Sequence, residues 1–168
     1  IPRGGGGTGL DLVAVPAAGE SREIVVAQTK ADESEGQFSP DGAWVAFVTN
    51  DSGRPEVFLQ SFPESRGRIQ VSTAGGSQVR WSGDGQELFY VAPDGKLMAA
   101  AVALRGASPE LKLPVPLFQT YLATGTNVLG IKPQYAVSRN GQFLLNTAVE
   151  SASAPIVVAV NWMKSLAK

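Results

Sequence analysis

The sequence predicts an all-β chain built from successive four-stranded antiparallel sheets, and three observations carry that expectation. The block Gln37–Val48 returns 43 residues later as Arg80–Val91, and a weaker copy, Ala136–Thr147, follows after a further 56. Each copy places a tight-turn pair between short apolar runs: Asp41-Gly42, Asp84-Gly85 and Asn140-Gly141. The 168 residues include 19 glycines and 11 prolines while only 17% are charged, which suits many turns and few solvated helix faces. Units of this length with four short strands each are the signature of propeller blades. The expected architecture is therefore a β-propeller fragment, two complete blades flanked by two partial ones.

Residues 1–9 read as a glycine-rich linker. Gly4, Gly6 and Gly9 satisfy G-x-G-x-x-G, but no strand precedes them and a β-like run follows instead of a helix, so the dinucleotide reading fails its context. The partial propeller spans 10–168. Leu10–Val15 and Glu23–Thr29 form the outer half of a first blade, at about 10–30. The second blade, about 36–72, has an inner strand at the repeat, then Trp44–Thr49, Glu56–Phe62 and Arg68–Ser72. The third, about 78–120, continues through Leu88–Val91 and, after the Pro93-Asp94-Gly95 turn, Lys96–Val102. Val115–Thr120 is its outer edge, where a proline is tolerated. The fourth, about 134–162, ends on Ile156–Trp162. The total is about 13 strands. Trp44–Thr49 and Leu88–Val91 are apolar on both alternating faces, as in a sheet covered on both sides.

In each turn the Asp or Asn oxygen serves nearby turn N–H groups and the glycine takes φ > 0. Asp41, Asp84 and Asp94 therefore read as turn formers, not as an assembled carboxylate site. Asp32, Glu33 and Glu35 read as a solvated acidic loop, residues 50–56 as a turn, and Trp44, Trp81 and Trp162 as core.

Composition excludes several chemistries. Lys and Arg number 14 against 15 Asp and Glu, which argues against binding nucleic acid or a membrane surface through bulk charge. With no histidine and no cysteine there is no Ser-His-Asp triad, thiolate nucleophile, disulfide or His/Cys metal site. Neither a G-x-S-x-G elbow nor a P-loop occurs, and no apolar run is long enough to span a bilayer. No catalytic residue, metal or cofactor is expected.

Phe38-Ser39-Pro40-Asp41-Gly42 with Val45–Thr49 and Arg54–Leu59 resembles the TolB-type, WD-like propeller repeat of bacteria. More narrowly, 52–57, 70–76, 87–90, 93–98 and 155–162 resemble the C-terminal propeller of bacterial eukaryotic-like serine/threonine protein kinases. Gly83 and Arg139 stand where that repeat usually has proline, and Asn140 where it has aspartate. The resemblance implies a non-catalytic sensor module that binds a protein or small molecule on the extracytoplasmic side of a bacterium. The contrasting expectation is the propeller of a hydrolase, a peptidase gate or a glycosidase. Fewer than four blades' worth of chain suggests a cut from a larger ring with the rest upstream. An open arc of that kind is expected to self-associate.

Antiparallel strands return their connections alternately, so residues 30–36, 50–55, 73–78, 93–95, 121–133 and 148–155 should gather at one end of the sheets. The expected contact set there is Arg54, Gln78, Arg80, Tyr121, Lys132 and Tyr135. Arg80 draws attention because the repeat places Gln37 and Ala136 at its position and so does not itself require a base. Arg and Tyr are also enriched at interface hot spots.

Overall fold

The computed structural model describes residues 9–19, 22–104, 109–122 and 133–147, and among them no helix occurs. Four successive antiparallel sheets make up the described chain. The first pairs β1 (Leu12–Ala14) with β2 (Ile24–Ala27). The second runs in order β3 (Glu33–Phe38), β4 (Trp44–Thr49), β5 (Glu56–Ser61), β6 (Arg68–Gln70). The third runs β7 (Ser77–Trp81), β8 (Glu87–Val91), β9 (Lys96–Ala103) and carries both β10 (Glu110–Leu111) and β11 (Val115–Gln119) on β9. The fourth pairs β12 (Tyr135–Val137) with β13 (Phe143–Leu145). This is the partial propeller that the repeat foretells: two full blades between two two-stranded ones.

Two differences stand out. The expected strand at 156–162 lies outside the described residues. The outer edge of the third sheet is divided, with β10 on the Val102–Ala103 half of β9 and β11 on its Lys96–Ala99 half. Pro114 and Pro116 give the physical reason, because neither has an N–H to donate and a continuous edge ladder cannot run through them. The β11 register shifts between Pro116 and Phe118.

The repeated turns share one hydrogen-bond scheme. Ser39 Oγ donates to Asp41 Oδ1 at 2.5 Å and accepts from Trp44 N at 3.0 Å, while Ala43 N donates to the same carboxylate oxygen at 3.1 Å. Ser82, Asp84, Gln86 and Glu87 repeat this at 2.7, 3.1 and 2.9 Å. In the third copy Ser138 Oγ donates to Asn140 Oδ1 at 2.5 Å, and closure falls one residue earlier, on Gln142 N. The left-handed backbone that each turn needs is taken by Gly42, Gly85 and Gly141, at φ 72°, 72° and 77°.

Period-two alternation sorts the apolar side chains between neighbouring sheets. On β4, Val45 and Phe47 join Val26 in a cluster facing the first sheet, whereas Trp44, Ala46 and Val48 meet Leu88, Tyr90, Ala100 and Val102 of the third. On β8 and β9, Phe89, Val91, Leu97 and Ala99 turn the other way and pack on Tyr135 and Phe143 of the fourth. Phe89 and Phe143 meet edge to face with centroids 4.9 Å apart. Every cluster therefore lies between two blades. Trp44 and Trp81 are buried in the middle one, as expected of core residues, and Trp162 lies outside the described residues.

Candidate functional site

The inner strands β3 and β7 each carry a bulge at the same repeat position. Pairing jumps from Ser34↔Val48 to Gln37↔Ala46, and from Ser77↔Val91 to Arg80↔Phe89. The residues at those jumps, Glu35 and Gln78, both have φ 57°. A left-handed non-glycine residue costs on the order of 1 kcal/mol, so something must hold it there.

Side chains of neighbouring blades supply that hold. A bulge leaves a backbone N–H without its ladder partner. Gln78 N donates to the Glu35 carboxylate of the preceding blade. Gln134 N, at the start of β12, donates to Gln78 Oε1 at 2.8 Å. Trp81 Nε1 donates back to Gln37 O at 3.1 Å. Three successive inner strands are thus linked side chain to backbone, through Glu35, Gln78 and Gln134 at the bulge end and through Trp81 beside the Ser82 turn.

Arg80 and Tyr135 lie beside these links. Arg80 is half-buried, and its guanidinium donates to Val79 O at 2.6 Å. The same guanidinium lies over the Tyr135 ring, 5.8 Å from its centroid. Tyr135 is 3% exposed, and its hydroxyl is buried without a hydrogen-bond partner. Burial pushes this phenol far above its usual range; the Arg80 charge lowers it and the Glu35 charge raises it further. Burial also raises the Glu35 carboxyl above its usual value, against the Gln78 and Val79 N–H groups and the Arg80 charge, which lower it.

The six expected contact residues fare differently. Gln78 and Arg80 come together with Tyr135 as one cluster, but Tyr135 is core, not a surface contact. Its ring packs near Phe143 in the cluster between the third and fourth sheets, under the Arg80 guanidinium. Arg54 is committed elsewhere: Nε donates to Glu56 Oε1 at 2.6 Å and its outer nitrogen to Thr73 O at 3.3 Å. Tyr121 is 74% exposed at the same end of the sheets. Lys132 lies outside the described residues.

The acidic run Asp32, Glu33 and Glu35 is not a solvated loop. Only Asp32 is exposed; Glu33 is 2% exposed within β3 and accepts from Thr29 Oγ1 at 2.6 Å and Thr49 Oγ1 at 3.4 Å. The sequence reading missed Glu35 and Gln134 as site residues. A signal for both was present, because Glu35, Gln78 and Gln134 fall at one repeat position and all carry a long side chain ending in a carbonyl-type oxygen.

Glu56 shows what a committed buried acid does. It is 1% exposed and accepts from Ser72 Oγ, Arg54 and Gly75 N. Burial pushes its carboxyl up, but these three donors and the Arg54 charge outweigh that and leave it below its usual value. Nearby Tyr90 is pushed up to about 12 by burial and the Glu56 charge.

At the opposite end of the sheets a shallow cleft of about 390 Å³ opens between the turns, lined by Pro40, Asp41, Asp84, Gln86 and Leu104. Its two carboxylates serve their own turns. The Ser39 hydroxyl and Ala43 N–H hold Asp41 below its usual value, and the Ser82 hydroxyl and Gln86 N–H do the same for Asp84. Among the described residues, no three acidic side chains converge as a metal-binding group, and no helix is long and apolar enough to cross a membrane.

Neither a family model nor a curated protein matches this sequence. Among solved structures the chain is similar to an oligogalacturonate lyase from Vibrio parahaemolyticus, at 16% identity and a TM-score of 0.38. The likeness covers 64% of this chain and 27% of that enzyme, so the chain spans about a quarter of its length. At that score the likeness carries no argument about the site, and the fold assignment rests on the sheets themselves.

Proposed function

We propose that this chain is a non-catalytic binding module, part of a larger β-propeller protein, which meets its ligand or partner at the bulged end of its inner strands. The observation that carries the reading is the Arg80–Tyr135 pair: a half-buried guanidinium over a buried phenol whose hydroxyl lacks a partner. Buried polar groups are ordinarily satisfied, and an exception calls for an explanation such as strain, a functional role or a bound water or ion. The repeat gives no structural cause for Arg80, since Gln37 and Ala136 hold the equivalent positions. Support for a non-catalytic role comes from the acids Glu33, Glu56, Asp41 and Asp84, each engaged by hydroxyl or backbone donors of the protein.

The parent protein is, on this reading, a bacterial receptor-like serine/threonine kinase with the propeller on the extracytoplasmic side. That finer assignment rests on the resemblance of 52–57, 87–90 and 93–98 to the kinase-linked propellers. Two experiments test the whole. A calorimetric screen of small molecules and peptides should yield a ligand lost in Arg80→Ala and kept in Asp84→Asn at the opposite end. Equal binding by wild type and Arg80→Ala, or turnover abolished by one Asp or Glu substitution, would overturn the reading. For the parent, the coding sequence upstream should contain a kinase catalytic loop followed by one apolar span. A G-x-S-x-G hydrolase domain there would point instead to an enzyme's propeller.

A further inference from the structure

We propose that the ligand group received between Arg80, Gln78 and Tyr135 is a carboxylate. The inference rests on the reading of this end as the binding end and adds the chemistry of what binds.

The hydrogen-bonding capacity still open at this place can all be met by donation to one ligand group. A guanidinium has five N–H groups, and the protein bond made by Arg80 is to Val79 O. Among the described residues no carboxylate lies within ion-pair distance of it. Gln78 uses its amide oxygen on Gln134 N, which leaves the NH₂ end available. The Tyr135 hydroxyl is unpartnered and buried. The one acidic neighbour, Glu35, turns an oxygen to the backbone N–H of Gln78 and is held by that of Val79 as well. The Arg80 and Gln78 N–H groups are therefore open donors and the hydroxyl can donate as well, so one acceptor group complements all three.

Charge and shape narrow the class. A half-buried guanidinium without an ion-pair partner gains most from an anion, and its planar fork matches a two-oxygen planar group. A carboxylate offers that shape with a single negative charge. A phosphate would bring up to two charges beside Glu35 with only one cation to balance them. One carboxylate oxygen pair on Arg80, with the phenol and amide N–H₂ as flanking donors, satisfies the orphan hydroxyl and neutralises the guanidinium together.

The test is a ¹H–¹⁵N NMR titration that follows the Arg80 Nε signal and the Gln78 and Tyr135 amides, with succinate, succinamide and inorganic phosphate as probes. Saturable shifts at these three signals are expected with succinate and absent with the other two. Arg80→Gln should weaken succinate by at least about tenfold, as expected when a charge-assisted bond is lost. Arg80→Lys should weaken it severalfold through loss of the fork. Tyr135→Phe keeps the ring packing, so it tests the hydroxyl even if Arg80→Gln fails to fold; it should weaken binding about threefold or more. Succinamide or phosphate saturating the same signals would overturn the carboxylate and leave the binding end standing. Silence from all three probes, or succinate binding unchanged in both Arg80→Gln and Tyr135→Phe, would overturn the proposal. The wider reading falls with it if Arg80→Ala also leaves the screened ligand bound.

Discussion

The two ends of the blades are held by different physics. At the turn end, Ser and Asp or Asn partners lie within a few residues of one another, and each turn is closed by its own sequence. At the bulge end the partners are 43 and 56 residues apart, and Gln78 N and Gln134 N each find their acceptor in the preceding blade. The turn end can form with the hairpin, while the bulge end requires neighbouring sheets to be in place. The difference assigns local folding to one end and cross-blade order, with the Arg80–Tyr135 site beside it, to the other.

The largest effect is expected where the turn end departs from this locality. A Cβ at Gly83 would lie 2.9 Å from the Arg139 Cα, so the turns of the third and fourth sheets touch through backbone. Gly83→Ala should cost about 1–3 kcal/mol, the usual scale for overpacking, and lower the melting temperature by several degrees. An unchanged melting temperature would mean the two turns are not in contact. The same contact accounts for glycine where the first copy carries Pro40, since a pyrrolidine ring would meet the same atoms.

At the bulge end, Glu35→Ala removes the acceptor for Gln78 N and should cost about 1–3 kcal/mol, the scale for a buried donor left unsatisfied. Glu35→Gln keeps an acceptor oxygen and should cost less than half as much. Chemical denaturation of the pair measures the gap, and equal losses would remove the link from the account. At the turns, Asp84→Ala should cost about 1 kcal/mol for its lost hydrogen bonds. Asp84→Asn should be nearly neutral, because Asn140 performs the same role in the third copy. A large loss in Asp84→Asn would show that the charge matters, not the oxygen.

Acid separates Glu35 from the turn aspartates by sign. Asp41 and Asp84 lie below their ordinary 3.8, so their contribution is full above that value and lost as pH falls through the folded pKa. Glu35 lies above its ordinary 4.5, so its contribution is full below 4.5 and lost as pH rises through the folded value. Acidification from neutrality toward 4.5 should therefore stabilise wild type relative to Glu35→Gln. Below 3.8, wild type should lose stability relative to Asp84→Asn. Parallel stability–pH curves for wild type and both variants would contradict the assignment.

The same division explains how much could be read from the chain. Turn chemistry is local, so Asp41-Gly42, Asp84-Gly85 and Asn140-Gly141 announced the sheets, and the two-faced apolar runs 44–49 and 88–91 announced that blades stack. Arg80 was visible as a departure from the repeat, and Gln78 from its place in the connection 73–78. Glu35 shares the repeat position of Gln78, but its role as an acceptor depends on its partner in the next blade. Tyr135 looked like a contact because its type is common at interfaces, yet the neighbouring sheet covers its ring. The split edge of the third sheet depended on Pro114 and Pro116 acting together.

The central claim is that the bulge end is ordered by links between blades, and amide hydrogen exchange tests it most directly. The N–H groups of Gln78 and Gln134 should be protected in wild type, and Glu35→Ala should expose Gln78 while leaving Gly85 in the turn unchanged. Rapid exchange of Gln78 and Gln134 in wild type, or loss of protection in Glu35→Ala spread equally to Gly85, would contradict it.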